Sequence, residues 1–322
     1  MSTLVLTHEN MREVLQMEAT TRAMEGVFAA LARGEARMPP KVYIQLEAFS
    51  GDFRAMPSAL GEAAGLKWIN AHPQNPVRCG LPSVLGVYLL NDARTGYPLA
   101  VMDATRLTSY RTAAAAAVAT RRLAREDAEV LGIIGCGAQA AYHADAVSRV
   151  RPIREIRLYD RDTGKAASLA ADFEGADARA VPIEEACGAD VLCTLTPSTA
   201  PVVRRQWVRP GAHINAMGAD GPGKQELDPA ILEEARVFVD DPAQAVHGGE
   251  INVPISEGRY APERIAGTLG EVIVGSQAGR AGGEITVFDS TGLALQDLAL
   301  ARLAHEEAKR RGIGLEIDLV PA

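Results

Sequence analysis

The chain has 322 residues, 47% hydrophobic and 23% charged, enough for about two domains and ordinary for a folded soluble protein, which excludes disordered, collagen-like and fibrous classes. Its 33 basic residues against 41 acidic ones give a net charge of −8 and a pI near 5.4, which argues against a broad electrostatic footprint for nucleic acid. The four cysteines, Cys79, Cys136, Cys187 and Cys193, form no paired ligand pattern and suit a reducing cytoplasm; the N-terminal stretch lacks a signal-peptide pattern, and no apolar run approaches the roughly 20 residues of a membrane span.

Taken in order, the first hundred residues predict an α+β unit. Asn10 to Arg33 carries apolar residues at Val14, Met17, Met24, Val27, Phe28 and Leu31, close to the helical period, with Gly34 as a stop. Short β-like runs follow at 41–48, 52–56, 65–71, 84–90 and 97–102, the last two flanking a hairpin-like loop from Asn91 to Gly96. Short loops favour antiparallel neighbours. Asp103 or Thr105 can cap the next helix, whose alanine run from 113 to 117 implies very close packing. From Val130 the pattern changes to apolar strands at 130–135, 155–160, 190–196, 213–218, 236–240 and 285–289, most followed by a helix-compatible stretch. That alternation predicts an α/β fold with a doubly wound parallel sheet. Leu293 to Arg311 reads as an amphipathic helix stopped by Gly312, and 313–320 as a strand without an evident partner.

Gly135-Cys-Gly137-Ala-Gln-Ala140 fits G-x-G-x-x-A between a strand and a helix. Gly135 allows the tight turn, Gly137 lets the backbone approach a pyrophosphate, and the helix start supplies N–H donors. Asp160 ends the next strand, 25 positions after Gly135, near the roughly 20 expected for an acid that binds the ribose hydroxyls. A carboxylate there favours NAD; Arg161 beside it keeps NADP as the alternative.

Gly218-Ala-Asp220-Gly-Pro-Gly-Lys224 follows a strand, where open α/β sheets hold ligands, although a solvated surface turn fits it equally well. Lys67 lies in a β-like run between Leu66 and Trp68. Strand alternation often turns such a lysine outward, whereas burial would lower its pKa and make it a usable base. Lys41 and Arg54, on neighbouring runs, can form an anion site with it, the arginine fork being the better carboxylate receptor. No histidine spacing suggests a metal, and the histidines and cysteines read as structural.

These segments together resemble the ornithine cyclodeaminase/mu-crystallin family over essentially the whole chain. The resemblance rests on Met38-Pro-Pro-Lys41, Gly51-Asp-Phe-Arg54-Ala-Met-Pro57, Gly65-Leu-Lys67-Trp, Met102-Asp103-Ala-Thr105, Ser109-Tyr-Arg111-Thr112, the Gly135 loop, Gly218-Ala-Asp220-Gly-Pro-Gly-Lys224, His247-Gly-Gly-Glu-Ile and Phe288-Asp-Ser290-Thr-Gly. Within the family the combination looks most like the archaeal-type L-alanine dehydrogenase branch. The resemblance implies a Rossmann domain of residues 118–303 facing, across the active cleft, a discontinuous substrate and dimerisation domain of residues 1–117 and 304–322, with an antiparallel sheet, a homodimer formed through that sheet, and a C-terminal segment returning to the first domain. It assigns Lys67 and Asp220 to proton transfer, and Lys41 and Arg54 to the substrate carboxylate. Arg111, Ala138 and Gln139 would reach the cofactor phosphates, Asp160 the ribose, and Gly218, Lys224 and Ser290 the nicotinamide side.

The implied reaction is NAD-dependent oxidative deamination of a small L-amino acid, alanine to pyruvate and ammonia. Three rival functions follow from the same resemblance. A cyclodeaminase needs an acid for the distal ammonium of ornithine, and Arg54 stands where that acid is expected. A cyclic imine reductase, acting on pyrroline-2-carboxylate, needs the same carboxylate and hydride geometry. A crystallin-like protein would bind ligand or cofactor without turnover. The expected partners are a small amino, 2-oxo or imino acid and a second copy of the chain, with neither nucleic acid nor membrane.

Overall fold

A computed structural model describes residues 2–173 and 176–320. Its contacts divide the chain into a discontinuous unit, Met1–Arg111 with Leu293–Ala322, and a continuous unit, Thr112–Gly292.

The discontinuous unit is built on a mixed sheet. Its strands run in the order Leu315–Ile317, Thr3–Leu6, Pro98–Asp103, Val84–Asp92, Ala63–Ala71, Gly51–Leu60 and Ala36–Arg37, and Val42–Leu46 also pairs with Gly51–Leu60. The pairing is antiparallel except between Thr3–Leu6 and Pro98–Asp103, which run parallel. The tail strand thus finds its partner in the first strand of the chain. Gly312, at φ +65, turns the chain out of the preceding helix, a left-handed conformation that favours glycine.

The single helix expected over 10–33 is two helices, His8–Val14 and Met17–Ala32. Thr7 and Asn10 form a capping box at the start of the first, and Leu15 takes an extended conformation at its end while remaining buried. The hairpin expected around Asn91 to Gly96 is present. Asp103, not Thr105, caps the helix Ala104–Leu123, its carboxylate accepting the N–H groups of Thr105 and Arg106. The tail helix Ala294–Arg311 packs on Gly51–Leu60, Ala63–Ala71 and Val84–Asp92 and on Met17–Ala32.

The continuous unit holds an all-parallel sheet in the order Asp177–Ala180, Glu155–Tyr159, Val130–Ile134, Val191–Thr194, His213–Ala216, Thr286–Asp289, Arg236–Val239 and Ile265–Thr268. Strand direction of growth reverses between Val130–Ile134 and Val191–Thr194, the switch point at which such sheets bind ligands. Both faces are covered. Leu131, Ile133, Val191 and Cys193 feed one apolar cluster, and Ile134, Leu192, Ile214 and Val287 the other, which is why these strands read as continuous apolar runs. Gly132 has a packing reason, since a Cβ there would collide with the carbonyl of Ala186.

In the long helix Ala104–Leu123, Ala113, Ala114, Ala115, Ala116 and Ala117 are all fully buried. Arg151 and Arg280 donate to the carbonyls of Arg121, Leu123 and Ala124 at its C-terminal end, satisfying oxygens that have no intrahelical partner. Among the described residues, no helix is long and apolar enough to cross a membrane.

Candidate functional site

In the continuous unit the glycine loop joins Val130–Ile134 to the helix Ala140–Ser148. Gly135 adopts φ +99, which a side chain would strain. Its N–H donates to the Tyr159 carbonyl, and the Cys136 N–H donates to the Asp160 carboxylate at 2.8 Å. The loop is therefore tied to the end of the second strand, where the other Asp160 oxygen accepts the Asp162 N–H. Gly137 and Ala138 are exposed, Gln139 is half-buried and Ala140 is buried. A Cβ on Gly137 would meet nothing within 4 Å, and no side chain caps the helix start. A dinucleotide fits these residues: open backbone at Gly137, helix N–H groups for the pyrophosphate, and a positioned acid for the ribose. Arg161 is exposed next to that acid.

In the discontinuous unit, strand register decides the position of Lys67. Met56, Lys67, Tyr88 and Met102 lie directly opposite one another across four strands, and all are buried. Their neighbours along the strands alternate to the other face, where Trp68 and Val87 are exposed. Lys67 thus turns inward, 1% exposed, the rarer of the two outcomes for a strand lysine. Its Nζ lies 2.7 Å from the Asp297 carboxylate and 3.4 Å from the Thr108 hydroxyl. Burial, opposed by Asp297 and reinforced by Arg111 and Lys41, brings its pKa down to about 7. Such a group exchanges protons near neutrality.

Arg111 is also buried, 3.3 Å from Asp297 and 3.1 Å from the Gln296 side-chain oxygen. Lys41 acts electrostatically on Lys67. Three of the predicted cations, Lys41, Lys67 and Arg111, therefore share one electrostatic environment. Arg54 shares the inward-facing side of its strand with Met56 and forms a fork on Asp52, at 2.9 and 3.0 Å, with its guanidinium over the Tyr43 ring. Asp297 escaped the reading of the sequence. Its signal was an acid on the apolar stripe of the tail helix, amid Ala294, Leu298, Ala301 and Ala304, at helical spacing.

The Gly218 loop in the continuous unit is pinned from below. Glu226, fully buried, accepts from the Thr194 hydroxyl, the Thr196 N–H and hydroxyl, and the Gly218 N–H, at 2.6 to 2.8 Å. Burial pushes its pKa up against the pull of these donors. A Cβ on Gly218 would collide with Thr196 and Glu226. Glu250 accepts the N–H groups of Glu226 and Leu227, and burial raises its pKa strongly. Asn252 bridges the Gly223 N–H and the Lys224 carbonyl. On this base Asp220 and Lys224 form an ion pair at the partly exposed surface. Ser290 is buried, its hydroxyl directed at Asp240.

Asp289 completes the buried acids by accepting the N–H groups of Glu250 and Ile251. Burial, with Asp240 nearby, pushes its pKa up to about 8, well above the usual carboxylate range. The folded chain then holds a proton that the unfolded chain releases, so this contribution is complete below the unfolded pKa and lost as pH rises through 8. Through Asp289 alone, stability is expected to fall between pH 6 and 8 by up to about 1.4 kcal/mol per pH unit. Asp289→Asn should flatten that slope in thermal melts from pH 6 to 9. An unchanged slope would rule out Asp289 as its source.

Residues 1–312 match the model of the ornithine cyclodeaminase/mu-crystallin family. The alanine dehydrogenase of Archaeoglobus fulgidus is 50% identical over 320 residues, covering 98% of each chain. Among solved structures, a dimeric archaeal alanine dehydrogenase with bound NAD superposes with a TM-score of 0.96 at 49% identity, covering 99% of this chain and 100% of the other. The Thermococcus litoralis Δ1-pyrroline-2-carboxylate reductase, in complex with NADH and L-proline, gives 0.95 at 35% identity, with 98% and 100% covered.

Proposed function

Because the chain belongs to the ornithine cyclodeaminase/mu-crystallin family, we propose that it is an NAD-dependent dehydrogenase that oxidatively deaminates a small L-amino acid. Alanine, NAD⁺ and water give pyruvate, ammonium, NADH and a proton, and the reaction is reversible. The observation that carries the reading is the buried Lys67, with a pKa near 7, in a chain 50% identical to an alanine dehydrogenase along nearly its full length.

When bound, NAD⁺ supplies the acceptor for the hydride that leaves the substrate Cα. The Gly135 loop and the start of Ala140–Ser148 hold its pyrophosphate, with Ala138 and Gln139 at the helix entrance, and Asp160 holds the ribose. A carboxylate at that position repels a 2′-phosphate, which favours NAD over NADP. Lys41 and Arg54 receive the substrate carboxylate. Lys67 takes the proton released as water adds to Cα and returns one as ammonia departs, while Asp220 handles protons at the substrate nitrogen. Arg111 sits against Asp297, so any contact with the cofactor phosphates requires it to leave or share that partner. Gly218, Lys224 and Ser290 border the nicotinamide side in this reading.

A homodimer fits the exposed face of the mixed sheet. Val42, Ala55, Trp68 and Val87 align across four strands; Val42, Trp68 and Val87 are exposed, and Trp68 stacks on Phe53. An apolar row of this kind favours burial against a second copy. The four cysteines, all free thiols, suit the reducing cytoplasm.

The purified protein should be incubated with NAD⁺ and, separately, alanine, ornithine and proline, with NADH and ammonia followed together. NADH and ammonia from alanine in equal amounts are the expected result. Ammonia from ornithine without NADH would replace the reading with cyclodeamination. NADH oxidation with a cyclic imine and silence with alanine would replace it with imine reduction.

A further inference from the structure

Lys67 is enclosed by groups from several elements. Asp297 comes from the first turn of Ala294–Arg311, Arg111 and Thr108 from Ala104–Leu123, Tyr88 from the neighbouring strand, and Lys41 from the approach to Val42–Leu46. Tyr88 is buried and burial raises its phenol, so it stays neutral. Asp297, wholly buried, is the acid in this set. It faces two buried cations, Lys67 at 2.7 Å and Arg111 at 3.3 Å. The first turn of a helix favours a negative charge. Gln296, next to it, accepts from Leu293 N–H and Arg111 with one oxygen, which fixes the helix start and the guanidinium together.

We propose that Asp297 is a positioning residue that holds the Lys67 ammonium in place and sets its proton affinity, in competition with Arg111. The role in turnover rests on the dehydrogenase reading above; the coupling between the two side chains does not. A buried lysine alone would lose its proton well below its ordinary range, and Arg111 and Lys41 push the same way. The carboxylate opposes all three effects, leaving Lys67 able to carry a proton and to release it near neutral pH. Arg111 faces the same carboxylate. A group that drew Arg111 away, such as an anionic ligand, would leave Asp297 more fully to Lys67 and raise its affinity for the proton.

The chain contains five lysines, Lys41, Lys67, Lys165, Lys224 and Lys309, so the Lys67 side chain can be followed by NMR with lysine labelled at Cε and assigned with Lys67→Arg. In the full-length protein without substrate, the Lys67 resonance should titrate near pH 7. Asp297→Asn, nearly isosteric, should lower that midpoint by about one pH unit or more. A merely loosened pocket would admit water and raise it, so a rise or no change overturns the proposal. Arg111→Gln keeps the acid and removes its competitor; the midpoint should rise, and its failure to rise overturns the proposal even if Asp297→Asn does not fold. In the active enzyme, the limb of kcat/KM near pH 7 should move acidward with the resonance in Asp297→Asn. A limb that stays while the resonance moves overturns the role in the reaction. No turnover is needed to read the resonance, so a wild-type protein silent with alanine removes the dehydrogenase reading and leaves the coupling to be judged by NMR alone.

Discussion

Lys67→Met should lose about 10²–10⁴-fold in kcat for alanine oxidation, the usual size of a positioned acid–base contribution, while its affinity for NAD⁺ changes little. Methionine keeps the length and apolar bulk of the side chain, so the row with Met56, Tyr88 and Met102 remains filled and only the ammonium is removed. The wild-type pH dependence carries the second part of the expectation. With its pKa lowered to about 7 by burial, Lys67 is ready to accept a proton above that pH and to donate one below it. Oxidation should therefore rise through pH 7 and reductive amination fall through it, and both limbs should be absent from whatever activity Lys67→Met retains. Steady-state rates from pH 5.5 to 9 in both directions, with NAD⁺ affinity from fluorescence titration, check this. Near-normal turnover in Lys67→Met would remove Lys67 from the chemistry.

The second large effect is on stability. Glu226→Ala leaves four donors, from Thr194, Thr196 and Gly218, without their acceptor in a buried site. Each buried donor left unmatched costs roughly 1–3 kcal/mol, less where water enters the space. The expected loss is on the order of 4 kcal/mol, a large share of a typical total of about 5–15 kcal/mol, and should lower Tm by roughly 10 °C. Glu226→Gln keeps one acceptor oxygen and should cost less. Thermal melts of the two variants check the order. A Glu226→Ala protein as stable as the wild type would show that Glu226 does not anchor the Gly218 loop.

The fold was largely legible in the sequence where one element carries its own signal. The Gly135 loop announced itself because turn, strand and helix are contiguous, and Asp160 because it ends the next strand. The doubly covered parallel sheet left apolar runs that periodicity finds. Lys67 was visible as a residue but its direction was not, since alternation fixes two faces without saying which is inside; the exposed row of Val42, Trp68 and Val87 is as apolar as many buried ones. Asp297 and Glu226 were missed because their roles depend on partners distant in sequence: Lys67 for the first, Thr194 and Thr196 for the second. The division of the tail helix into a polar and an apolar side did mark Asp297 as out of place. Only the fold says that a lysine meets it there.

The discontinuity of the first unit also orders events in time. Thr112–Gly292 is continuous and can complete its own contacts as soon as Gly292 has left the ribosome, since domains generally fold as units during synthesis. Lys67 emerges before that unit begins, and its acid Asp297 and the closing strand Leu315–Ile317 emerge after it ends. At about 5–20 residues per second the interval is on the order of tens of seconds. Throughout it, Lys67 lacks the helix that covers it and the carboxylate that balances its charge. The nascent chain can thus complete its parallel-sheet unit well before the Lys67–Asp297 pair forms, and the lysine is buried only when its counter-charge arrives.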